Sequence, residues 1–67
     1  MADFTNKARF EGCRCIAETA SALLVVVDGQ QHWIPQSQVD DESEVYADKH
    51  EGELVVSEWI AVQKGLV

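Results

Sequence analysis

The sequence predicts a small, mainly β domain with an antiparallel sheet of four to five short strands and a short C-terminal helix. Three observations lead to this fold class. The β-branched run "LLVVV" precedes an Asp-Gly pair and then a second strand-like run. An alternating segment lies upstream, and the apolar spacing changes to a helical period near residue 57. A chain of 67 residues makes one domain, residues 1–67.

A tight hairpin in "LLVVVDGQQHWIP" is the clearest local signal. Asp28 and Gly29 suit the two positive-φ positions of a type I′ turn. Pro35 cannot donate a ladder hydrogen bond, so the second strand should end there or lie at a sheet edge. The turn fixes the predicted register, which pairs Val27 with Gln30, Val25 with His32 and Leu23 with Ile34.

The segment "KARFEGCRCIAE" predicts a strand upstream of the hairpin. Unbroken alternation puts one set of side chains on one face and a second set on the other. The first set is Phe10, Gly12, Arg14 and Ile16. The second set is Arg9, Glu11, Cys13, Cys15 and Ala17. Gly12 in mid-strand indicates a bulge or a sharp bend. Two further short strands are expected at "SEVYA" and "GELVVS", separated by the polar connector "DKHEG".

The end of the chain predicts a helix of about two turns. Ser57 is suited to the N-cap, and Gly65 to the position that follows the helix. In so small a core, Trp33 and Trp59 are expected to be packing residues. The strands and helix together predict a strongly bent antiparallel sheet or an SH3-like, partly open barrel. A plain meander with the helix packed on one face is the alternative.

Negative charge is concentrated in residues 40–58, here called the acidic segment. The net charge of the chain is −7. Lys49 is the one basic residue in this segment, against eight acidic ones: Asp40, Asp41, Glu42, Glu44, Asp48, Glu51, Glu53 and Glu58. Such a surface repels nucleic acid and membrane headgroups and attracts a basic partner. The alternative is a solvated loop that keeps the protein soluble.

Metal and catalytic sites have weak support in the sequence. Cys13, Cys15, His32 and His50 could in principle supply four ligands to zinc. However, the two thiols do not have the C-x2-C spacing that is usual in zinc sites. Reduced or buried cysteines are expected instead. Five carboxylates match the spacing of a calcium loop: Asp40, Glu42, Glu44, Asp48 and Glu51. Val45 occupies the position where that loop requires glycine. We therefore expect no cofactor and no enzymatic activity.

The segments "DGQQHWIPQSQV" and "GELVVSEWIAVQKGL" resemble parts of short proteins encoded in phages and prophages. The resemblance covers roughly residues 20–67. The matching residues are Asp28, Gly29, Trp33, Ile34, Pro35, Ser37, Trp59, Lys64, Gly65 and Leu66. These motifs are structural, so the resemblance implies a fold and a phage origin and assigns no binding residue.

A phage origin would give the acidic segment a function. Small acidic phage proteins that disable host defence, anti-CRISPR inhibitors among them, often present carboxylates to a basic nucleic-acid channel. This predicts a non-enzymatic inhibitor, acting in the host cytoplasm, that binds a basic host protein or nucleoprotein complex. The expected contact residues are Asp40, Asp41, Glu42, Glu44, Tyr46, Asp48, Glu51 and Glu53, with Tyr46 as a central aromatic anchor. Carboxylates two residues apart on a strand would lie about 6.8 Å apart and mimic phosphates coarsely.

Two other functions remain open at this point. The first is an accessory or structural module that uses an apolar patch, with self-association into a homodimer through an open sheet edge. The second is a small barrel that binds single-stranded nucleic acid through Trp33 and the basic residues Lys7, Arg9 and Arg14. The net charge of −7 opposes the second function, and no membrane partner is expected.

Overall fold

The fold is one open, four-stranded antiparallel sheet with a short helix. A computed structural model of the chain describes residues 3–67. The strands lie in the order β3-β2-β1-β4. The elements in chain order are β1 (Lys7–Glu18), β2 (Ala22–Val27), β3 (Gln30–Pro35), a 3-10 turn (Gln36–Gln38), β4 (Glu51–Ser57) and α1 (Glu58–Gln63). The predicted mainly β class is confirmed, and the sheet does not curl into a barrel.

The β2–β3 hairpin has the predicted register. Val27 pairs with Gln30 and Val25 with His32. The two turn residues both have positive φ, 52° at Asp28 and 78° at Gly29, as a type I′ turn requires. β3 ends at Pro35 and is an edge strand. Local turn chemistry therefore determines this part of the sheet.

A bulge in β1 changes which side chains face the core. The ladder to β4 shifts by one residue between Phe10 and Cys13, and Gly12 lies within this shift with φ 68°. Because of the extra residue, Phe10 packs against the same core as Cys13. The prediction that these two side chains lie on opposite faces is wrong, since it assumed unbroken alternation.

Aliphatic side chains from one face of the sheet form the core. The core cluster comprises Cys13, Cys15, Leu23, Val25, Val27, Ile34, Val39, Val45, Leu54, Val56, Ile60 and Ala61. Val39 and Val45 come from the loop between the 3-10 turn and β4. Both are fully buried, so apolar burial ties this loop to the sheet.

The strand expected at residues 43–47 does not form. Residues 39–44 instead run along the outer edge of β4, where Val39 makes a single bridge to Val56. The amides of Asp40 and Glu44 donate to the carbonyls of Val55 and Glu53, both at 2.8 Å. Side chains supply the other contacts along this edge, so no regular ladder develops.

Neither tryptophan packs in the core, contrary to the sequence-based expectation. Trp33 is 45% exposed and Trp59 is 61% exposed. Trp33 lies on the edge strand, opposite Leu24 and on the face that carries no helix. The short helix buries Ile60 and Ala61, which leaves its neighbours Trp59 and Val62 on the surface.

Both ends of α1 are capped as predicted. The Ser57 hydroxyl accepts a hydrogen bond from the Ile60 amide at 3.2 Å. At the other end, the Leu66 amide donates to the Ala61 carbonyl at 2.8 Å, and the Gly65 amide donates to the Val62 carbonyl at 3.1 Å. This pair of bonds is a Schellman motif.

Replacing Ser57 with alanine should destabilise the domain by about 1 kcal/mol, because an amide of the first helical turn loses its partner. Urea unfolding followed by circular dichroism measures the effect. Ser37→Ala, at an exposed position, is the matched control and should be close to neutral. Equal stability of the two variants would show that the cap contributes nothing.

Candidate functional site

Asp40 begins the acidic segment but is buried beneath it. Its side chain is 0% exposed. The carboxylate accepts hydrogen bonds from the amides of Phe4 at 2.8 Å and Glu42 at 2.9 Å, and it lies 3.2 Å from the Lys7 ammonium. These two amides, and then Lys7, hold the pKa of Asp40 below its ordinary value. Asp40 therefore links Phe4 and Lys7 to the loop, and its side chain, which the sequence predicted to contact a partner, has no exposed surface here.

Glu42 and Glu53 are paired with the basic residues of β1. Arg9 forms ion pairs with both, at 3.2 Å from Glu53 and in closer contact with Glu42. Lys7 lies 3.6 Å from Glu42. The hydrogen bond that the Arg9 guanidinium donates to the Glu42 carboxylate raises the pKa of Arg9. Much of the negative charge of these two carboxylates is therefore balanced within the molecule.

The Ser43 and Glu44 side chains accept hydrogen bonds from backbone amides on the outer edge of β4. The Ser43 hydroxyl accepts from the Val55 amide at 3.1 Å, and the Glu44 carboxylate accepts from the Glu53 amide at 2.8 Å. Both amides would otherwise face outward from an edge strand. Glu44 is still exposed, but its carboxylate has a structural role.

The predicted row of carboxylates at Asp40, Glu42 and Glu44 is not a row of three free charges. Its first member is buried, its second is ion-paired and its third binds the backbone of β4. The row depended on a regular strand, which this loop does not form.

Tyr46 lies in the turn that leads from the loop into β4. Its ring meets the His50 ring edge-on, with centroids 4.3 Å apart, and its amide donates to the His50 Nδ1 at 3.4 Å. The turn is attached to β1, because the Cys15 amide donates to the His50 carbonyl at 2.8 Å and the Lys49 amide donates to the Cys15 carbonyl at 3.0 Å. Tyr46 is nevertheless 47% exposed. Tyr46 is therefore an exposed aromatic side chain whose ring rests against His50.

Exposed carboxylates flank Tyr46 along the chain. Asp48 lies within the same turn, where its amide donates to the Glu18 carboxylate at 2.9 Å. Glu51 begins β4 opposite Arg14. Asp41, Asp48 and Glu51 are all exposed, and none has a salt bridge within residues 3–67. We call Asp41, Glu44, Tyr46, Asp48 and Glu51 the Tyr46 surface.

The alternative metal sets are not assembled in the described part of the chain. Residues 3–67 contain no group of three or more His, Cys, Asp or Glu side chains placed to hold a metal ion. Cys13 and Cys15 are free and buried, and burial raises the pKa of both thiols. Such thiols are poor nucleophiles, because the thiolate is the reactive form.

No helix within residues 3–67 has the length and apolar character needed to cross a membrane. Comparisons of the chain with protein-family models, curated proteins and solved structures give no match.

Proposed function

We propose that the chain is a non-enzymatic interaction domain that binds a basic protein surface through the Tyr46 surface. One observation carries this proposal: Tyr46 is 47% exposed although its ring and amide are both held by His50. A pre-ordered aromatic side chain loses little conformational entropy on binding. Tyrosine is also one of the residue types enriched at binding hot spots.

The distribution of charge favours a basic partner over nucleic acid. Lys7 and Arg9, two of the five basic residues, are already in ion pairs with the acidic segment. They are the residues that a nucleic-acid groove would need. The exposed carboxylates of the Tyr46 surface would steer a Lys- and Arg-rich partner and make association sensitive to salt.

The phage resemblance extends this proposal to an inhibitor of a host nucleic-acid-handling defence complex, similar to anti-CRISPR proteins. The basic channel of such a complex is a partner of suitable charge. The Tyr46 surface would occupy it in place of the nucleic acid, with Tyr46 as the anchor and Asp48 and Glu51 as the two carboxylates that follow it in the chain.

The experiment is an affinity capture from host lysate with the tagged protein, washed at low and then at moderate salt. Tyr46→Ala should weaken capture about 30-fold, the loss typical of a hot-spot residue. The pair Asp48→Asn with Glu51→Gln should release the partner at lower salt than the wild type.

The control pair Glu11→Gln with Asp28→Asn changes the net charge equally but lies at exposed positions outside the acidic segment. The proposal predicts that only the first pair weakens binding. It is wrong if both pairs behave alike, or if the captured protein is indifferent to salt and to Tyr46.

A second candidate function, an accessory or structural interaction module, is favoured by the face of the sheet that carries no helix. Ile16 and Trp33 are exposed there, and the Leu24 and Val26 side chains of β2 are half-buried. β2 is therefore apolar on both faces, a pattern typical of strands that are covered on both sides.

A further inference from the structure

The edge strand β3 has backbone groups that no other group of residues 3–67 pairs. The Gln36 amide donates to the Ser21 carbonyl at 2.8 Å, so this pair is hydrogen-bonded. Bonded and non-bonded pairs alternate along an antiparallel ladder. His32 therefore bonds to β2, whereas the amides and carbonyls of Gln31 and Trp33 point away from the sheet. No strand of residues 3–67 lies beyond this edge.

We propose that the chain forms a homodimer in which β3 pairs antiparallel with β3 of a second copy, about a two-fold axis at His32. In this register Gln31 lies opposite Trp33 of the second copy, and Trp33 lies opposite its Gln31. Each of these two pairs exchanges two backbone hydrogen bonds. All four outward amides of the two copies, and the four carbonyls beside them, are then satisfied.

The side chains of β3 fit this register. The two Trp33 side chains are diagonal neighbours across the axis, at the distance of about 7–8 Å that aromatic side chains can bridge. They lie on the same face as Leu24, so pairing extends the apolar face across both copies. Pro35, which has no amide hydrogen, lies outside the four-bond stretch. The dimer thus covers a tryptophan that is 45% exposed in the single chain.

Charge favours a second copy at this edge despite the net charge of −7. β3 contains no Asp, Glu, Lys or Arg, whereas natural edge strands are commonly protected by charges such as lysine. Residues 40–44, which include four of the acidic side chains, lie along the opposite edge of the sheet, beyond β4. Three strand spacings separate the two edges, about 14 Å, which exceeds the screening length of about 8 Å at physiological salt. The two acidic edges of the dimer are therefore at its far ends.

The test is the mass in solution of the purified full chain, measured by sedimentation equilibrium over a wide range of concentration. The wild type should reach twice the chain mass of 7.4 kDa. Gln31→Pro removes one outward amide from each copy and places a ring in the path of the partner strand. Each lost hydrogen bond weakens association about fivefold, so the variant should dimerise at least about 25-fold more weakly.

Gln31→Ala keeps the amide and is the matched control, which should dimerise like the wild type. Proline at an outward-facing position of an edge strand is compatible with the single chain, and circular dichroism checks that the variant folds. A wild type that stays monomeric at every concentration, or equal association of the two variants, would overturn the proposal.

Amide hydrogen exchange on the wild type gives an answer that does not depend on any variant. The Gln31 and Trp33 amides should be protected at high protein concentration and lose protection on dilution. The His32 amide, bonded within the chain, should stay protected throughout. Fast exchange of Gln31 and Trp33 in the dimer would show that another surface mediates association, and would contradict the β3 interface.

Discussion

Asp40→Ala is expected to lower the melting temperature by about 10 °C or more, the largest effect of any single acidic residue in the chain. The substitution removes the acceptor for the amides of Phe4 and Glu42 and the buried partner of Lys7. Unpaired buried donors and charges are costly because they have lost water without a replacement. Thermal unfolding followed by circular dichroism measures the change.

Asp41→Ala is the matched control for this prediction. Asp41 is the next residue in the chain and carries the same charge, but it is exposed. Its replacement should leave the melting temperature nearly unchanged. Lys7 also lies 3.2 Å from Asp3 and 3.6 Å from Glu42, so most of the loss should come from the unpaired amides of Phe4 and Glu42. Equal melting temperatures for Asp40→Ala and Asp41→Ala would show that the buried carboxylate has no structural role.

The same carboxylate should make stability depend on pH in acid. The pKa of Asp40 in the folded chain is held below its ordinary value of 3.8 by the amides of Phe4 and Glu42 and by Lys7. Its contribution is therefore fully present above about pH 3.8 and is lost as the pH falls through the lower folded pKa. Asp40→Asn should flatten this part of the curve of unfolding free energy against pH. An unchanged acid limb would contradict the assigned hydrogen bonds.

The sequence was sufficient to predict the parts of the fold that depend on near neighbours. The hairpin register follows from Asp28 and Gly29, and the helix start follows from Ser57. The position of the β1 bulge was also visible at Gly12. The effect of the bulge on the neighbouring side chains could not be predicted, because a shift of one residue moves the side chains on one side of it to the opposite face of the sheet. The placement of Phe10 therefore required the structure.

The sequence predicted where the acidic residues are concentrated in the chain, but not which of them are buried, ion-paired or exposed. Arg9 binds Glu42 and Glu53, which lie 33 and 44 residues away in the chain. No local pattern distinguishes these acids from Asp48 or Glu51, which have no such partner in the described chain. Burial of Asp40 likewise depends on the amide of Phe4, a residue far from it in sequence. Counting charges along the sequence identifies the acidic segment. Only the tertiary contacts distinguish the acidic residues with a structural role from those that are exposed and unpaired.

Gly52 allows the Glu44 side chain to lie closely against β4. Its φ is 135°, and a Cβ built on it would lie 2.6 Å from the Glu44 Oε1 and 3.3 Å from the Glu44 Cβ and Cδ. Glu44 could move aside, but it would then lose its bond to the Glu53 amide. Gly52→Ala therefore combines backbone strain with the loss of an edge contact, and should cost about 2–4 kcal/mol of unfolding free energy.

Gly12→Ala separates these two effects. Gly12 also has positive φ, at 68°, but a Cβ there would meet no atom within 4 Å, so only strain of about 1–2 kcal/mol is expected. In a Glu44→Ala background, Gly52→Ala should cost less than in the wild type, because the Glu44 carboxylate that lies 2.6 Å from the built Cβ has gone. Urea unfolding of the four proteins in this cycle measures the coupling. Additive effects of Gly52→Ala and Glu44→Ala would mean that Glu44 does not fold back onto the strand, and its carboxylate would then belong among the free charges of the Tyr46 surface.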